Sequence, residues 1–483
     1  MIDNNTGHDP IEHIVVLMLE NHSFDQILGC FKQVYPGLEG VDLSVLKVNQ
    51  DVTGKKFKQL AMTERRQPID PRHEVEHVKV QLSNDMQGFL RDFSQAYPQS
   101  TDLERQYVMG YYPFGFLPAT HTLAANFLVL DRFHASVPGP TWPNRFFALS
   151  GTSLGRVNMP YDGQHQSDTL GYFQQDQDTI CDRLNEKQIP WKFYFHDIPL
   201  SWIMNHQRRP ENAANYFQID QFFMDAKENS KQFPKFSYIE PRYRGSDEND
   251  DHPPHDLMKG QKLIADVYNA LRANEDLWNK TLLILTYDEH GGFYDHILPP
   301  KAVAPDDHRE EYTFDQLGVR VPTILISPWV KAGYNSTVFD HTSILKYLID
   351  KWGLDQLGQR TSIANSIAPM IVEIDIVRTD TPFQIVLTPA QLASDDPDAD
   401  QQAGNSLNDL NKGILKLLTI QLDLAIPTQL SWLARQIRSI KKFFAFSWFT
   451  RSSAASDLVA QYESLINKVG YYLMLVHKNN LKS

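Results

Sequence analysis

Ile14-Val15-Val16-Leu17-Met18-Leu19 runs without a polar residue and stops at Glu20-Asn21-His22-Ser23. A short, unbroken apolar run of this kind suits a strand covered on both faces, as in a parallel sheet. Polar residues at its carboxyl end stand where open α/β sheets hold their ligands. Thr281-Leu282-Leu283-Ile284-Leu285-Thr286-Tyr287 repeats the pattern and runs into Asp288-Glu289, then His290-Gly291-Gly292. Lys259–Asn274, just before it, spaces Ile264, Val267, Tyr268 and Leu271 at helical intervals, which makes a helix-then-strand unit.

Outward from these two runs, Val321–Pro328 reads as a third strand with Pro322 near its start. Phe127–Leu130 and Trp191–Tyr194 read as shorter strands, and Ser343–Trp352 as a helix. Gly245–His255 and Pro299–Asp307 are rich in Pro and Asp and read as loops. Strands alternating with helices over residues 10–360 predict an α/β fold on a parallel or mixed sheet.

The composition changes near residue 375, so the expected organisation is a catalytic domain over 1–375 and a smaller, mainly helical C-terminal unit over 376–483. Ala393–Asn408 is polar and acidic and reads as a linker or long surface loop. Leu407–Leu424 and Pro427–Phe444 carry amphipathic helical patterns. Trp432, Ile437 and Ile440 alternate with Arg435, Arg438, Lys441 and Lys442, and further aromatics follow through Phe449. Such a segment either lies on a lipid surface or packs its apolar stripe on the catalytic domain.

The chain has 483 residues, 42% of them hydrophobic and 22% charged, with a formal net charge of −13. That balance argues against a broad nucleic-acid footprint. An acidic protein acting on anionic substrates needs local positive charge, from a metal or from His, Arg and Lys at the site. Two cysteines, Cys30 and Cys181, do not make a disulfide framework, and both are expected to be free thiols. Met1–Pro10 has neither a basic nor an apolar leader region, so no ordinary secretory signal is read there. This leaves export by another route, a trimmed mature form, or a cytoplasmic protein. No apolar stretch is long enough to span a bilayer.

The chemistry centres on Glu20-Asn21 and Asp288-Glu289. If both strands lie in one parallel sheet, both pairs emerge at the same edge. Three carboxylates and a carboxamide crowded there repel and lose solvation, and a divalent cation removes that cost. Hard oxygen ligands favour Ca²⁺, Mg²⁺ or Mn²⁺, with Zn²⁺ an option where histidines lie close. The competing reading is that Asn21 or Ser23 caps a helix and the acids are solvated. His73, His196, His252, His290 and His296 are candidates to donate to phosphoryl oxygens or protonate a leaving alkoxide; each, alone, also reads as a surface or structural histidine. Thr141 lies in Pro138-Gly139-Pro140-Thr141-Trp142-Pro143-Asn144-Arg145, where flanking prolines restrict the backbone. A hydroxyl fixed there can serve as a metal-activated nucleophile, or it can merely hydrogen-bond the turn.

These pieces resemble one known family. Glu20-Asn21-His22-Ser23-Phe24-Asp25 is similar to the E-N-x-S-F-D signature of bacterial phospholipases C and acid phosphatases, shared with plant non-specific phospholipases C. Gly139–Arg145 resembles the family's G-P-T-x-P-N-R nucleophile turn, and His252-Pro253-Pro254 its H-P-P. Tyr287–His296 matches Y-D-E-H-G-G-F-Y-D-H almost letter for letter. The resemblance covers roughly residues 11–365. It implies an alkaline-phosphatase-like fold, a mostly parallel mixed sheet sandwiched by helices. It assigns one divalent metal ion to Glu20, Asn21, Thr141, Asp288 and Glu289, and the phosphate pocket to His73, His196 and His252; His196 is the looser match, and His22 takes no role.

Thr141 and Glu289 follow the phospholipase C style, where the acid-phosphatase branch can carry Ser and a second Asp. The expected activity is therefore hydrolysis of phosphatidylcholine-like phospholipids to diacylglycerol and phosphorylated headgroup, with peripheral membrane contact as a further expectation. An acid phosphatase of small phosphomonoesters is the enzymatic alternative, and a non-catalytic lipid-surface protein the alternative of another class. Cys30 lies near the first motif but lacks the context of a sulfatase nucleophile.

Overall fold

Eight strands form the central sheet of the computed structural model, which describes residues 9–159, 176–309, 312–371, 376–400 and 477. In chain order they are β1 (His13–Leu19), β2 (Leu128–Leu130), β3 (Trp191–Phe195), β4 (Tyr216–Gln218), β5 (Phe236–Glu240), β6 (Thr281–Tyr287), β7 (Thr323–Ile326) and β8 (Gly333–Asn335). Their order across the sheet is β8-β2-β7-β6-β1-β5-β3-β4. All run the same way except β7, which is antiparallel to both of its neighbours. The fold is thus the expected α/β class, with a mixed and mostly parallel sheet.

The apolar runs that mark β1 and β6 in the sequence are buried along their whole length, as strands covered on both faces must be. They are immediate neighbours, in parallel register from His13↔Thr281 to Leu19↔Tyr287. The next residue on each is an acid, Glu20 on one and Asp288 on the other, so the register itself places the two carboxylates side by side at the carboxyl edge. On the other side of β1 lies β5, Phe-Ser-Tyr-Ile-Glu, which the sequence reading passes over. Buried Ser237 and Glu240 interrupt its apolar run, so periodicity does not flag it. The edge strands β4 and β8 escape because, unlike the equally short but wholly apolar and buried β2, they hold polar residues and are only partly buried.

Helices cover the sheet: α1 (Phe24–Ile27), α2 (Pro118–Asn126), α3 (Thr141–Ser150), α4 (Leu257–Arg272) and α5 (His341–Trp352). α4 buries Leu263, Ile264, Val267, Tyr268 and Leu271, the stripe its spacing predicts, and begins at Asp256, whose side chain accepts from the Met258 N–H. α5 starts on a capping box at Asp340 and ends at Gly353 in the left-handed region.

Residues 48–111 add a cap with a small hydrophobic core of its own. Phe57, Val78, Phe89, Leu90, Phe93 and Val108 pack there with Tyr294 and Val319 of the main body. This cap carries His73.

Residues 376–400 run over the α/β body. Asn269 of α4 exchanges hydrogen bonds with both backbone groups of Ile385, at 2.8 Å each. In the acidic stretch after Leu392, Arg66 pairs with Asp395 at 2.9 Å and with Asp400 at 2.7 Å, so its described part is clamped to the surface. The amphipathic patterns of Leu407–Leu424 and Pro427–Phe444 lie outside the described residues. Cys30 and Cys181 are both free and buried, as expected. Among the described residues, no helix is long and apolar enough to cross a membrane.

Candidate active site

The turn that leads into Thr141 is built by one side chain. Asn144 Oδ1 accepts the Val137 N–H at 3.0 Å, while Nδ2 donates to the carbonyls of Gly139 at 2.9 Å and Pro140 at 3.1 Å. Gly139 is a close-approach glycine, because a Cβ there would stand 2.8 Å from the Val157 carbonyl oxygen. With the turn locked, Thr141 falls on the first residue of the ten-residue helix α3. Its hydroxyl therefore sits at the positive end of the helix dipole, where an anion is favoured.

Thr141 Oγ1 donates to Glu20 Oε2 at 3.1 Å. One turn on, Arg145 donates through Nη2 to Glu20 Oε1 at 2.5 Å and through Nε to Asp288 Oδ2 at 3.2 Å. Arg145 stands in the sequence motif, yet motif reading assigns it nothing. Its signal is the spacing of four from Thr141, which puts both on one helix face. Asp288 accepts the Glu289 N–H at 2.8 Å, and Glu289 Oε2 accepts the Gly291 N–H at 2.6 Å. Gly291 has φ +62°, and a Cβ there would collide with the backbone oxygen of Asn21, so only glycine closes this loop against the first motif.

Glu20, Asn21, Asp288 and Glu289 are all fully buried. The Asp288 carboxyl is pushed well above the usual range by burial and by the neighbouring Glu20, with Arg145 offsetting only part. Glu289 is held below its usual value: burial opposes its charge, but His73, His290 and the Gly291 N–H outweigh that. His73 is pulled up to about 10, because Glu289, Asp70 and Glu74 overcome the effect of burial. Its Nε2 lies 3.4 Å from Glu289 Oε1 and its Nδ1–H donates to the Pro71 carbonyl at 2.7 Å.

The donor set fits a divalent cation. Of the three carboxylates Arg145 meets only Glu20 and Asp288, and among the described residues the buried amide of Asn21 has no hydrogen-bond partner at either polar atom. Glu289 Oε1 likewise accepts no hydrogen bond. Buried, orphaned oxygens of this kind are what a hard cation satisfies. The competing reading of the first motif is met in one half only: Ser23 does cap α1, accepting the Gln26 N–H at 3.3 Å, but the acids are buried rather than solvated.

The remaining histidines separate. His252 Nε2 lies 3.7 Å from Asp70 Oδ2, and His73 Nδ1 lies 3.9 Å from Asp70 Oδ1, so one carboxylate stands between two of the phosphate-pocket candidates. His196 follows β3 at the same sheet edge, but its Nδ1–H donates to the Glu240 carbonyl at 3.1 Å and its Nε2 faces Asn249 Nδ2 at 3.5 Å. Burial pushes it down to about 4, so it is neutral, and its hydrogen bonds reach none of Glu20, Asn21, Thr141, Asp288 or Glu289. His22 is structural, stacked on Phe293 and bonded to the Asp251 carbonyl at 2.8 Å. His290 bonds Gln81 at 2.9 Å.

His296 belongs to a separate charge network. Its Nδ1 lies 2.8 Å from Asp25 Oδ2, and Arg320 donates to Asp25 at 3.0 Å and to Asp295 at 2.9 Å. Another acid–histidine group is Asp178, Asp182 and His206, with His206 engaged by Asp182 at 3.0 Å and by Asp176 at 2.8 Å.

Comparison with known proteins gives the site a context. The phosphoesterase family profile matches residues 11–355. A non-specific phospholipase C of Arabidopsis thaliana is 34% identical over 407 residues, covering 78% of this chain and 75% of that protein. The non-hemolytic phospholipase C of Pseudomonas aeruginosa is 29% identical over 389 residues, covering 71% of this chain and 54% of that protein. A solved protein of the alkaline phosphatase superfamily from Vibrio parahaemolyticus aligns with a TM-score of 0.27 at 12% identity, covering 50% of this chain and 61% of that chain.

Proposed function

Because the chain belongs to the phosphoesterase family, we propose that it is a phospholipase C-type hydrolase that uses Thr141 as nucleophile to release phosphorylated headgroup and diacylglycerol from phosphatidylcholine-like lipids. The observation that carries this reading is Thr141 at the start of α3, hydrogen-bonded to a carboxylate that Arg145 also grips.

A divalent cation held by Glu20, Asn21, Asp288 and Glu289 supplies, when bound, charge that polarises the phosphoryl group. The chain's own groups do the rest. Glu20 Oε2 is the acceptor in place for the Thr141 hydroxyl proton. Thr141 Oγ1 forms a bond to phosphorus in line with the leaving oxygen, and the bond to the diacylglycerol oxygen breaks. His252, our assignment for the acid, gives a proton to that oxygen. Protonated His73 faces the same edge and offers positive charge to the phosphoryl oxygens. Water then attacks phosphorus and gives a proton back to His252, the Thr141 ester breaks, Glu20 returns its proton to Thr141 Oγ1, and the headgroup phosphate leaves. His196, neutral and held by backbone, has the weakest geometric support of the three histidines.

The test is release of phosphocholine and diacylglycerol from phosphatidylcholine vesicles by the full chain, after chelation and after add-back of Ca²⁺, Zn²⁺, Mg²⁺ or Mn²⁺ singly. Metal-restored release is expected. Turnover of a soluble aryl phosphate with no phosphocholine release would instead favour a phosphomonoesterase.

A further inference from the structure

The strand pair Val48–Gln50 and Lys56–Lys58 forms an antiparallel ribbon in the cap, in register Val48↔Lys58, Asn49↔Phe57 and Gln50↔Lys56. Alternation sorts its side chains. Asn49, Asp51, Phe57 and Gln59 point inward and are buried, and each has its partner. Phe57 packs in the cap core, Asn49 Nδ2 donates to the Met86 carbonyl at 2.9 Å, Asp51 holds Arg105 at 2.7 Å, and Gln59 donates to Asp25 at 3.0 Å.

The opposite face has no comparable cover. Val48, Gln50, Val52, Lys56, Lys58 and Leu60 are exposed. Val52 is 55% exposed and Leu60 40%; Val45, just before the ribbon, is 65% exposed. Lys55 pairs with Asp102, but Lys47, Lys56 and Lys58 have no ion-pair partner among the described residues. A run of unpaired lysines interleaved with exposed aliphatics is out of character for a chain of net charge −13. Isolated surface valines need no explanation, but several within one basic ribbon do. Lysine carries its charge on a long apolar stem, so this mixture matches the boundary where anionic headgroups meet acyl chains.

We propose that the outward face of this ribbon docks the protein on an anionic phospholipid surface, lysines at the phosphates and Val45, Val48 and Leu60 between the headgroups. An acidic soluble partner would match the lysines and leave the aliphatics unused. Position adds to the argument. Gln59, on the ribbon's inner face, bonds Asp25, which lies just past the carboxyl end of β1, the edge that holds Glu20 and Thr141. The ribbon is thus tied, through its inner face, to the segment that follows Glu20. The inference goes beyond the proposed reaction, since adsorption requires no turnover.

The experiment is co-sedimentation of the full chain, in a Thr141→Ala background so that lipid is not consumed, with vesicles of phosphatidylcholine alone and of phosphatidylcholine mixed with phosphatidylglycerol. Binding to the mixed vesicles is expected to exceed binding to the neutral ones. K47E/K56E/K58E is expected to lower partitioning on mixed vesicles by at least about tenfold, and V45S/V48S/L60S to lower it as well. Unchanged melting temperatures confirm intact folding in each. Either variant binding as tightly as its parent overturns the proposal, as does tighter binding to soluble polyglutamate than to the mixed vesicles. Headgroup release, read separately in the protein carrying Thr141, decides the reaction without touching this result.

Discussion

Arg145 grips the carboxylate oxygen of Glu20 that Thr141 does not use, at 2.5 Å against 3.1 Å for the hydroxyl. The two donors come from one face of α3, four residues apart, and Arg145 reaches on to Asp288. A single guanidinium therefore balances two of the three buried carboxylates, leaving Glu289 to His73 and the Asn21 amide without a partner. The site is an anion-rich pocket balanced in part by a fixed cation, and the proposed divalent cation would complete the balance.

Replacing Arg145 by Met should expose that balance. Removing one partner of a buried ion pair strands the other, at about 3–5 kcal/mol. Arg145→Met is therefore expected to lower unfolding stability by that order after chelation, and to regain part of the loss in saturating divalent cation, since a ligand that binds only the folded state stabilises it. Urea unfolding with chelator and with metal measures both. The same loss under the two conditions would mean that guanidinium and metal do not share one charge balance.

Thr141→Ala should cost turnover rather than folding. The residue lies at the first position of α3, and the turn is held by Asn144, not by the Thr141 hydroxyl. Phosphocholine release is expected to fall at least about a thousandfold, with a far-ultraviolet spectrum and urea midpoint close to the parent's. Thr141→Ser, which keeps a hydroxyl, is expected to retain measurable activity. Parental rates from Thr141→Ala would remove it as nucleophile.

The sequence revealed what was encoded locally. β1 and β6 are unbroken apolar runs ending in acids, and their parallel pairing follows from helix–strand alternation. The turn around Thr141 is legible because prolines and glycine restrict it. What could not be read is set by distant partners. β5 sits between β1 and β3 with Ser237 and Glu240 in its run, so its strand character comes from its neighbours. The cap core joins residues 57 to 109 with Tyr294 and Val319, a contact set no window of sequence contains. Arg145 sits in a quoted motif and Asp70 three residues before His73, but their partners Glu20, Asp288 and His252 lie more than a hundred residues away in the chain.

The pair Asp25–His296 predicts a pH signature in stability. Asp25 is held below the usual carboxylate value: burial opposes its charge, but His296, Arg320 and Gln59 outweigh that. His296 is raised by Asp25 against the effect of burial. The Asp25 contribution is full above about pH 4 and is lost as pH falls through its depressed folded value. The His296 contribution is full below about pH 6.5 and is lost as pH rises through its elevated folded value. Both are complete only between these limits. The stability gap between the parent and His296→Asn should be widest there and shrink on the alkaline side, in urea titrations across the range. A gap that widens steadily into alkali would rule the pairing out.

Asp70 should act through the histidines it separates. Its carboxylate lies within 3.9 Å of His73 Nδ1 and 3.7 Å of His252 Nε2, one ring facing Glu289 and the other the proposed proton donor. A carboxylate so placed lies beside both rings and helps to raise His73. Asp70→Asn preserves shape and removes the charge. Losing a general acid outright costs about 10²–10⁴ in rate, so disturbing its orientation should cost less, and kcat is expected to fall by about ten- to a hundredfold with KM little changed. His252→Asn should then cost far less in the Asp70→Asn background than in the parent, because coupled residues are not additive. A merely structural Asp70 would lower stability while leaving kcat of the folded fraction intact, and full additivity with His252→Asn would show that the two do not work together.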